Sequence, residues 1–282
     1  MATRNIILNS SNVVAGTNNS KYVYKFTTPQ TFSDNSIALN TLNCYYSWYN
    51  INSTLYNNNV FQYKWFNSAG SLADTFTVTI PDGFYSIISI NLYLQSVMLA
   101  NKHYLYDTTL KKNIFFIEFI SNPTYYAFQL NLTPMYSTLP SNLTKSGTWG
   151  LPPSQRTVQV IINSTNNFKE LIGFNAGAYP STTTTVLYQQ LSQNTPVIAP
   201  CTSMVIRCNL VRNDLATPND VLYSFTQGNA QFGDVLEERP ATVYYSPVQN
   251  GSYTEMVLTF YDQNFQHVNI KDNQFLITVM IK

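Results

Sequence analysis

Apolar and polar residues alternate with period two along much of this chain. That is the pattern of strands with one face in a core and one in water. KYVYKFTT (21–28) alternates and ends before Pro29, and SIALNTLNCYYSWYNI (36–51) predicts a longer strand that bends or bulges. NVFQYKWFN (59–67) follows an Asn-rich turn and ADTFTVTI (73–80) comes next. Further strands are predicted at 113–120, 125–132, 157–162, 201–211, 220–226, 242–248, 253–262 and 274–282. The first 20 residues read as a polar arm with a short strand at Asn5–Leu8, 133–155 as a long surface loop, and 181–200 as exposed extended chain. The last two strands are expected to form a closing hairpin. In it Met256, Leu258 and Phe260 point one way and Val257, Thr259 and Tyr261 the other, so both faces call for a cover.

One segment changes period. After the Pro-Asp-Gly turn at 81–83, Ile87, Ile90, Leu94, Val97 and Met98 recur at helical spacing, with Ser86 as N-cap. This amphipathic helix should lay one face on a sheet. Its polar face has no Lys or Arg, as a membrane-surface helix would need. A second, short helical turn is expected in NNFKELIGFNAGAYP (166–180), where Gly173 and Gly177 read as a tight turn. Ten to twelve short strands and one real helix predict an all-β chain, a sandwich or jelly roll carrying an insertion. The expected division is 1–80 plus 181–282 for the sandwich and 81–180 for the insertion.

Composition sharpens this picture. Only 10% of the 282 residues are charged and the net charge is +1, while Tyr (21) and Phe (17) are high. About 25% charged is ordinary. Subunit interfaces use Tyr and deplete Lys, Glu and Asp. An AT-rich genome would raise Asn and Tyr too, but it would also raise Lys, which is not high here. The densest basic spot is Lys111–Lys112, a solvated loop, so specific nucleic-acid binding is not expected. Cys44, Cys201 and Cys208 are an odd, sparse set that fits free buried thiols. The first sixteen residues do not read as a signal peptide, and no run approaches the ~18 apolar residues of a membrane span.

A search for chemistry finds little. His103 and His267 are the only histidines; His103 reads as a helix C-terminal residue and His267 as a turn residue. Cys201 and Cys208, seven apart on one predicted strand, should face opposite ways and share no metal. Glu237 and Glu238 are adjacent in extended chain and make a poor acid/base pair. Asp214, Asn219 and Asp220 gather oxygens in the loop 213–220, a candidate calcium loop that turn chemistry explains equally well. No phosphate-binding loop and no Gly-x-Ser-x-Gly elbow is present. No catalytic residue, cofactor site or metal site is therefore expected, which points to a structural or binding protein and not an enzyme.

Four segments carry a resemblance: IPDGFYSIISINLYLQSVMLANKHYL (80–105), ELIGFNAGAYP (170–180), IRCNLVRNDLATPNDVLYSF (206–225) and LTFYDQNFQHVNIKDNQFLITVMIK (258–282). In order and spacing they resemble the minor capsid, or penton, proteins of virophages and polinton-like viruses, over most of the chain from about residue 75 onward. The resemblance implies a single jelly roll with an inserted subdomain. It further implies homopentamers at the fivefold vertices of an icosahedral capsid, major capsid protein capsomers as neighbours, and a place in the virion after synthesis in the host cytoplasm. The alternative is a receptor- or glycan-binding β-sandwich of a viral spike, with Tyr-rich stretches at 45–65 and 134–156 stacking on sugars. A jelly-roll enzyme would need a His-rich metal site or two facing carboxylates.

Overall fold

The computed structural model describes residues 3–282 and divides the chain into two compact units, 1–49 with 201–282 and 50–200. The first unit opens with β1 (Arg4–Leu8), β2 (Lys21–Phe32) and β3 (Ser36–Tyr45). The second unit holds β4 (Val60–Phe66), β5 (Leu72–Thr79), helix α1 (Ile87–Ala100), β6 (Leu105–Asp107), β7 (Lys112–Ile114), β8 (Ile117–Asn122) and β9 (Ala127–Leu132). It continues through β10 (Leu143–Lys145), β11 (Gln159–Ile162), α2 (Phe168–Ile172), β12 (Gly177–Tyr179) and β13 (Tyr188–Leu191). The first unit resumes with β14 (Ser203–Cys208), β15 (Val221–Thr226), β16 (Val235–Glu238), β17 (Ser246–Pro247), β18 (Gly251–Asp262) and β19 (Leu276–Ile281).

The first unit is a jelly roll. Its chain pairs as a nested ribbon: β1 with β19, β2 with β18, β3 with β16, and β14 with β15. Two further pairings, β19 with β3 and β18 with β14, join the ribbon into two antiparallel sheets ordered β1-β19-β3-β16 and β15-β14-β18-β2. Alternation fills the space between them. Met256, Leu258 and Phe260 of β18 and Ile277 and Val279 of β19 are fully enclosed. On β3 the inward set switches from Ile37 and Leu39 to Leu42 and Cys44, because a bulge at the Thr41–Leu39 step inserts one residue and flips the parity. β2 runs on past Pro29, contrary to the sequence expectation. Residues 26–29 leave the ladder with β18, so no hydrogen-bonded N–H is demanded of the proline.

The expected closing hairpin does not form. β18 and β19 lie in different sheets, and the segment between them crosses the sandwich, bridging Tyr261 to His267 and Trp48 to Ile270. The outer residues Val257, Thr259 and Tyr261 are half-buried. Most of the polar arm is ordered: β1 pairs with β19, and Asn9 caps a short 3-10 turn by accepting from the Ser11 N–H at 2.9 Å.

The second unit carries three small sheets, β12-β11-β4-β5, β10-β6-β7 and β13-β9-β8. The expected limits of 80/81 and 180/181 thus move to 49/50 and 200/201. The reason is pairing: β4 and β5, which read as sandwich strands, share a sheet with β11 and β12. The run 113–120 also divides, into the end of β7 and the start of β8. α1 keeps its expected N-cap, with the Ser86 hydroxyl accepting from the Ser89 N–H at 3.2 Å. It buries Ile90, Leu94 and Met98 and packs on β8, where Asn91 bonds both backbone groups of Phe119. Rings dominate this core: Phe61 stacks on Phe168 at 4.6 Å, and Trp65 meets Phe116 and Trp149 edge-on.

Candidate functional site

α1 ends in a Schellman motif. The His103 N–H bonds the Met98 carbonyl, the Lys102 N–H bonds that of Leu99, and Lys102 takes the left-handed conformation (φ 59°). This turn drives the His103 ring into the core, 5% exposed, stacked on Trp65 at 4.8 Å and meeting Phe76 edge-on at 4.4 Å. The Tyr63 hydroxyl accepts from Asn101 Nδ2 at 3.2 Å, which leaves its proton for His103 Nδ1 at 2.8 Å. Burial lowers the His103 pKa to about 4. The ring is a neutral, fully packed helix-end residue, out of reach of any substrate. His267 is exposed and lies against Tyr261 at 4.6 Å.

All three cysteines are buried in the sandwich core, and burial pushes each thiol up to about 12. The argument that Cys201 and Cys208 face opposite ways does not hold. β14 starts at Ser203, so strand parity does not reach Cys201, which bends inward with its Sγ toward the Ser203 carbonyl at 3.7 Å. Among the described residues no three His, Cys, Asp or Glu side chains gather to hold a metal.

The carboxylates singled out in the sequence are engaged separately. Glu237 pairs with Arg239 at 2.5 Å, whereas Glu238 accepts from the Tyr223 hydroxyl at 2.6 Å. In the loop 213–220, Asp214 is held by Arg212 at 3.0 Å and Asp220 by Arg207 at 2.7 Å. Asn213 Oδ1 accepts from the Leu215 N–H, and the Asn219 carbonyl accepts from the Asn213 N–H at 2.6 Å. These oxygens serve the turn and two arginines. Lys111, in the β6–β7 turn, and Lys112, at the start of β7, are both exposed.

What remains is surface. The outer face of α1 carries Ile88 (67% exposed), Leu92 and Leu99, and the whole helix has no charged residue. The Tyr-rich stretches behave differently from expectation. Tyr46, Trp48, Tyr63, Trp65 and Trp149 are core residues and offer no ring to a sugar. Within those stretches only Tyr45 and Tyr136 are exposed; the most exposed tyrosines are elsewhere, Tyr125 and Tyr126 at the β8–β9 tip, the latter in the left-handed region (φ 49°), and Tyr244. Composition alone could not sort inward from outward tyrosines. The signal that could have done so is the Asn-Pro-Thr-Tyr-Tyr turn at 122–126, which places two rings at a hairpin tip.

The fold and surface define an all-β jelly-roll protein with a second unit inserted between its third and fourth sandwich strands. No protein-family model and no curated protein matches the chain. Among solved structures it is similar to the mavirus penton protein, with 10% identity over 99% of this chain and 97% of that chain and a TM-score of 0.47. It is also similar to a chain of the Sputnik virophage structure, with 11% identity over 100% and 97% and a TM-score of 0.40. At these identities and scores the likeness assigns no function. No helix among the described residues is long and apolar enough to cross a membrane.

Proposed function

We propose that this chain is a structural protein of a viral capsid, and within that class a penton that forms homopentamers at fivefold vertices beside major-capsid capsomers. The observation that carries this reading is the uncharged apolar surface. Ile88, Leu92 and Leu99 form one outward stripe on α1, and Val186 and Leu187 add two adjacent exposed apolar residues. The order and spacing of the four segments at 80–105, 170–180, 206–225 and 258–282 support the penton form of the proposal. His103 is packed in the core, and the named carboxylates are engaged in ion pairs or a hydrogen bond.

Light scattering on the purified chain across salt and concentration tests it. A pentamer near 160 kDa, five times the 32.0 kDa chain, is expected. A strict monomer at every concentration counts against the vertex role, and a dimer or trimer sinks it. A second reading, recognition of a host glycan, is favoured by Tyr125 and Tyr126, 68% and 75% exposed at one tip. Glycan-array binding that vanishes in Tyr125→Ala/Tyr126→Ala would establish that role.

A further inference from the structure

One lateral side of the jelly roll is open. β1 ends one sheet, β2 ends the other, and a groove of about 450 Å3 lies between them. Arg4 and Ile6 of β1, Tyr24, Phe26 and Phe32 of β2, and Lys282 line it. The rings form a continuous series, edge-on from Tyr24 to Phe26 at 5.7 Å and from Phe26 to Phe32 at 6.2 Å, and tilted from Phe32 to Tyr253 at 5.9 Å. The first half of β2 is covered by the preceding chain: Val14 N–H bonds the Lys21 carbonyl, and Asn12 Nδ2 bonds that of Val23. β1 has no strand on its outer side among the described residues.

We propose that this groove takes an extended acidic peptide of a partner protein, which adds to β1 as a further strand. In an antiparallel pair, alternate residues turn their N–H and C=O groups away from the partner. β1 therefore offers donors and acceptors to an added strand. Edge strands are commonly guarded by a charge, a proline or a bulge. Beyond Arg4, β1 has none of these, its register with β19 is unbroken, and Ile7 stands 56% exposed. Five residues span about 17 Å, enough for five to seven residues of peptide with every second side chain laid on the aromatic series. The lining side chains include two cations, Arg4 and Lys282, and no Asp or Glu, which selects acidic over basic peptides. Lys282 Nζ is held over the Tyr245 ring at 3.6 Å, which fixes one charge at the rim. Cations beside rings also suit single-stranded nucleic acid. Two cations are few for that role, and nucleotides cannot use the strand edge. The groove is a property of the sandwich and holds whether or not the chain assembles into a shell.

The test selects a displayed library of random nonapeptides on the full chain, then titrates the enriched sequences as labelled peptides. Alternating apolar sequences with Asp or Glu near an end are expected, and binding should slow amide exchange at 4–8. A twin peptide with Lys for each acid should bind at least tenfold more weakly. Arg4→Glu/Lys282→Glu changes two exposed side chains, should keep the melting temperature, and should weaken the acidic peptide at least tenfold. Four outcomes overturn the proposal: no acidic enrichment, affinity unchanged in that variant, protection confined to other strands, or a nine-nucleotide oligothymidylate that displaces the peptide at equal concentration.

Discussion

The two units bury polar groups in opposite ways. Nine of the twelve buried polar residues described lie in the inserted unit, and only Ser20, Ser47 and Asp262 lie in the sandwich. The sandwich has long strands, twelve residues each in β2 and β18, whose ladders satisfy most of the backbone within the sheets. Its interior can then be almost wholly apolar. The inserted unit has strands of three to eight residues and long connections, so side chains must complete its backbone bonding. Asparagine does this. Asn50 accepts from the Tyr85 N–H at 2.7 Å and donates to the Tyr85 and Ile198 carbonyls at 2.7 and 2.8 Å. Asn58 accepts from the Asn52 N–H at 2.9 Å and donates to the Asn50 carbonyl at 2.8 Å. The difference teaches that in an insertion without long ladders side-chain amides can satisfy backbone groups that strands would otherwise pair.

The largest test of that contrast is Asn50→Leu. It removes three hydrogen bonds and strands three backbone groups at a residue 2% exposed. A loss of about 3–5 kcal/mol in urea unfolding is expected. A loss below about 1 kcal/mol would show that the amide is not what holds these segments. The next effect is pH-dependent. Burial lowers the His103 pKa from 6.5 to about 4, so between those values the unfolded chain binds a proton that the folded chain refuses. The His103 contribution is complete above pH 6.5 and is lost as pH falls toward 4, by about 3 kcal/mol in all. Unfolding free energies from pH 7.5 to 4 should show this slope in the native chain and lose it in His103→Phe. An equal slope in both chains would place the titration elsewhere.

Much of the sandwich was legible because alternation is a local signal. Met256, Leu258 and Phe260 point inward as their parity requires, and Ser86 begins the helix it was expected to cap. What failed was non-local. Nothing in 254–282 says that two adjacent strands part into different sheets, because parity fixes a strand's faces and not its neighbours. β4 and β5 alternate as well as any sandwich strand, and only their pairing with β11 assigns them to the insertion. β16 was missed because Val235–Glu238 contributes a single buried residue, Leu236, too short a pattern to register. The groove was not legible in the sequence. Arg4, Phe26 and Lys282 lie far apart in the chain and meet only when the first and last strands pair.

Two tyrosines sharpen the comparison at smaller scale. Both are fully buried. In the inserted unit the Tyr63 hydroxyl lies between Asn101 and His103, so Tyr63→Phe leaves a buried imidazole nitrogen and an amide without their partner. That change should cost about 1–3 kcal/mol. In the sandwich, Tyr22 packs against Phe260 and Phe275 with centroids at 5.8 and 5.3 Å, and its hydroxyl has no hydrogen-bond partner among the described residues. The same burial, reinforced by Cys44 and Asp272, raises the Tyr22 pKa, so the phenol stays neutral. Its oxygen contributes desolvation cost without a bond in return. Tyr22→Phe keeps the ring and removes that cost, so stability should hold or rise by up to about 1 kcal/mol. The two Tyr→Phe variants, measured side by side by urea unfolding, should therefore move in different directions. If Tyr22→Phe cost as much as Tyr63→Phe, the sandwich interior would have to contain a polar network of its own, and the division of labour between the two cores would fail.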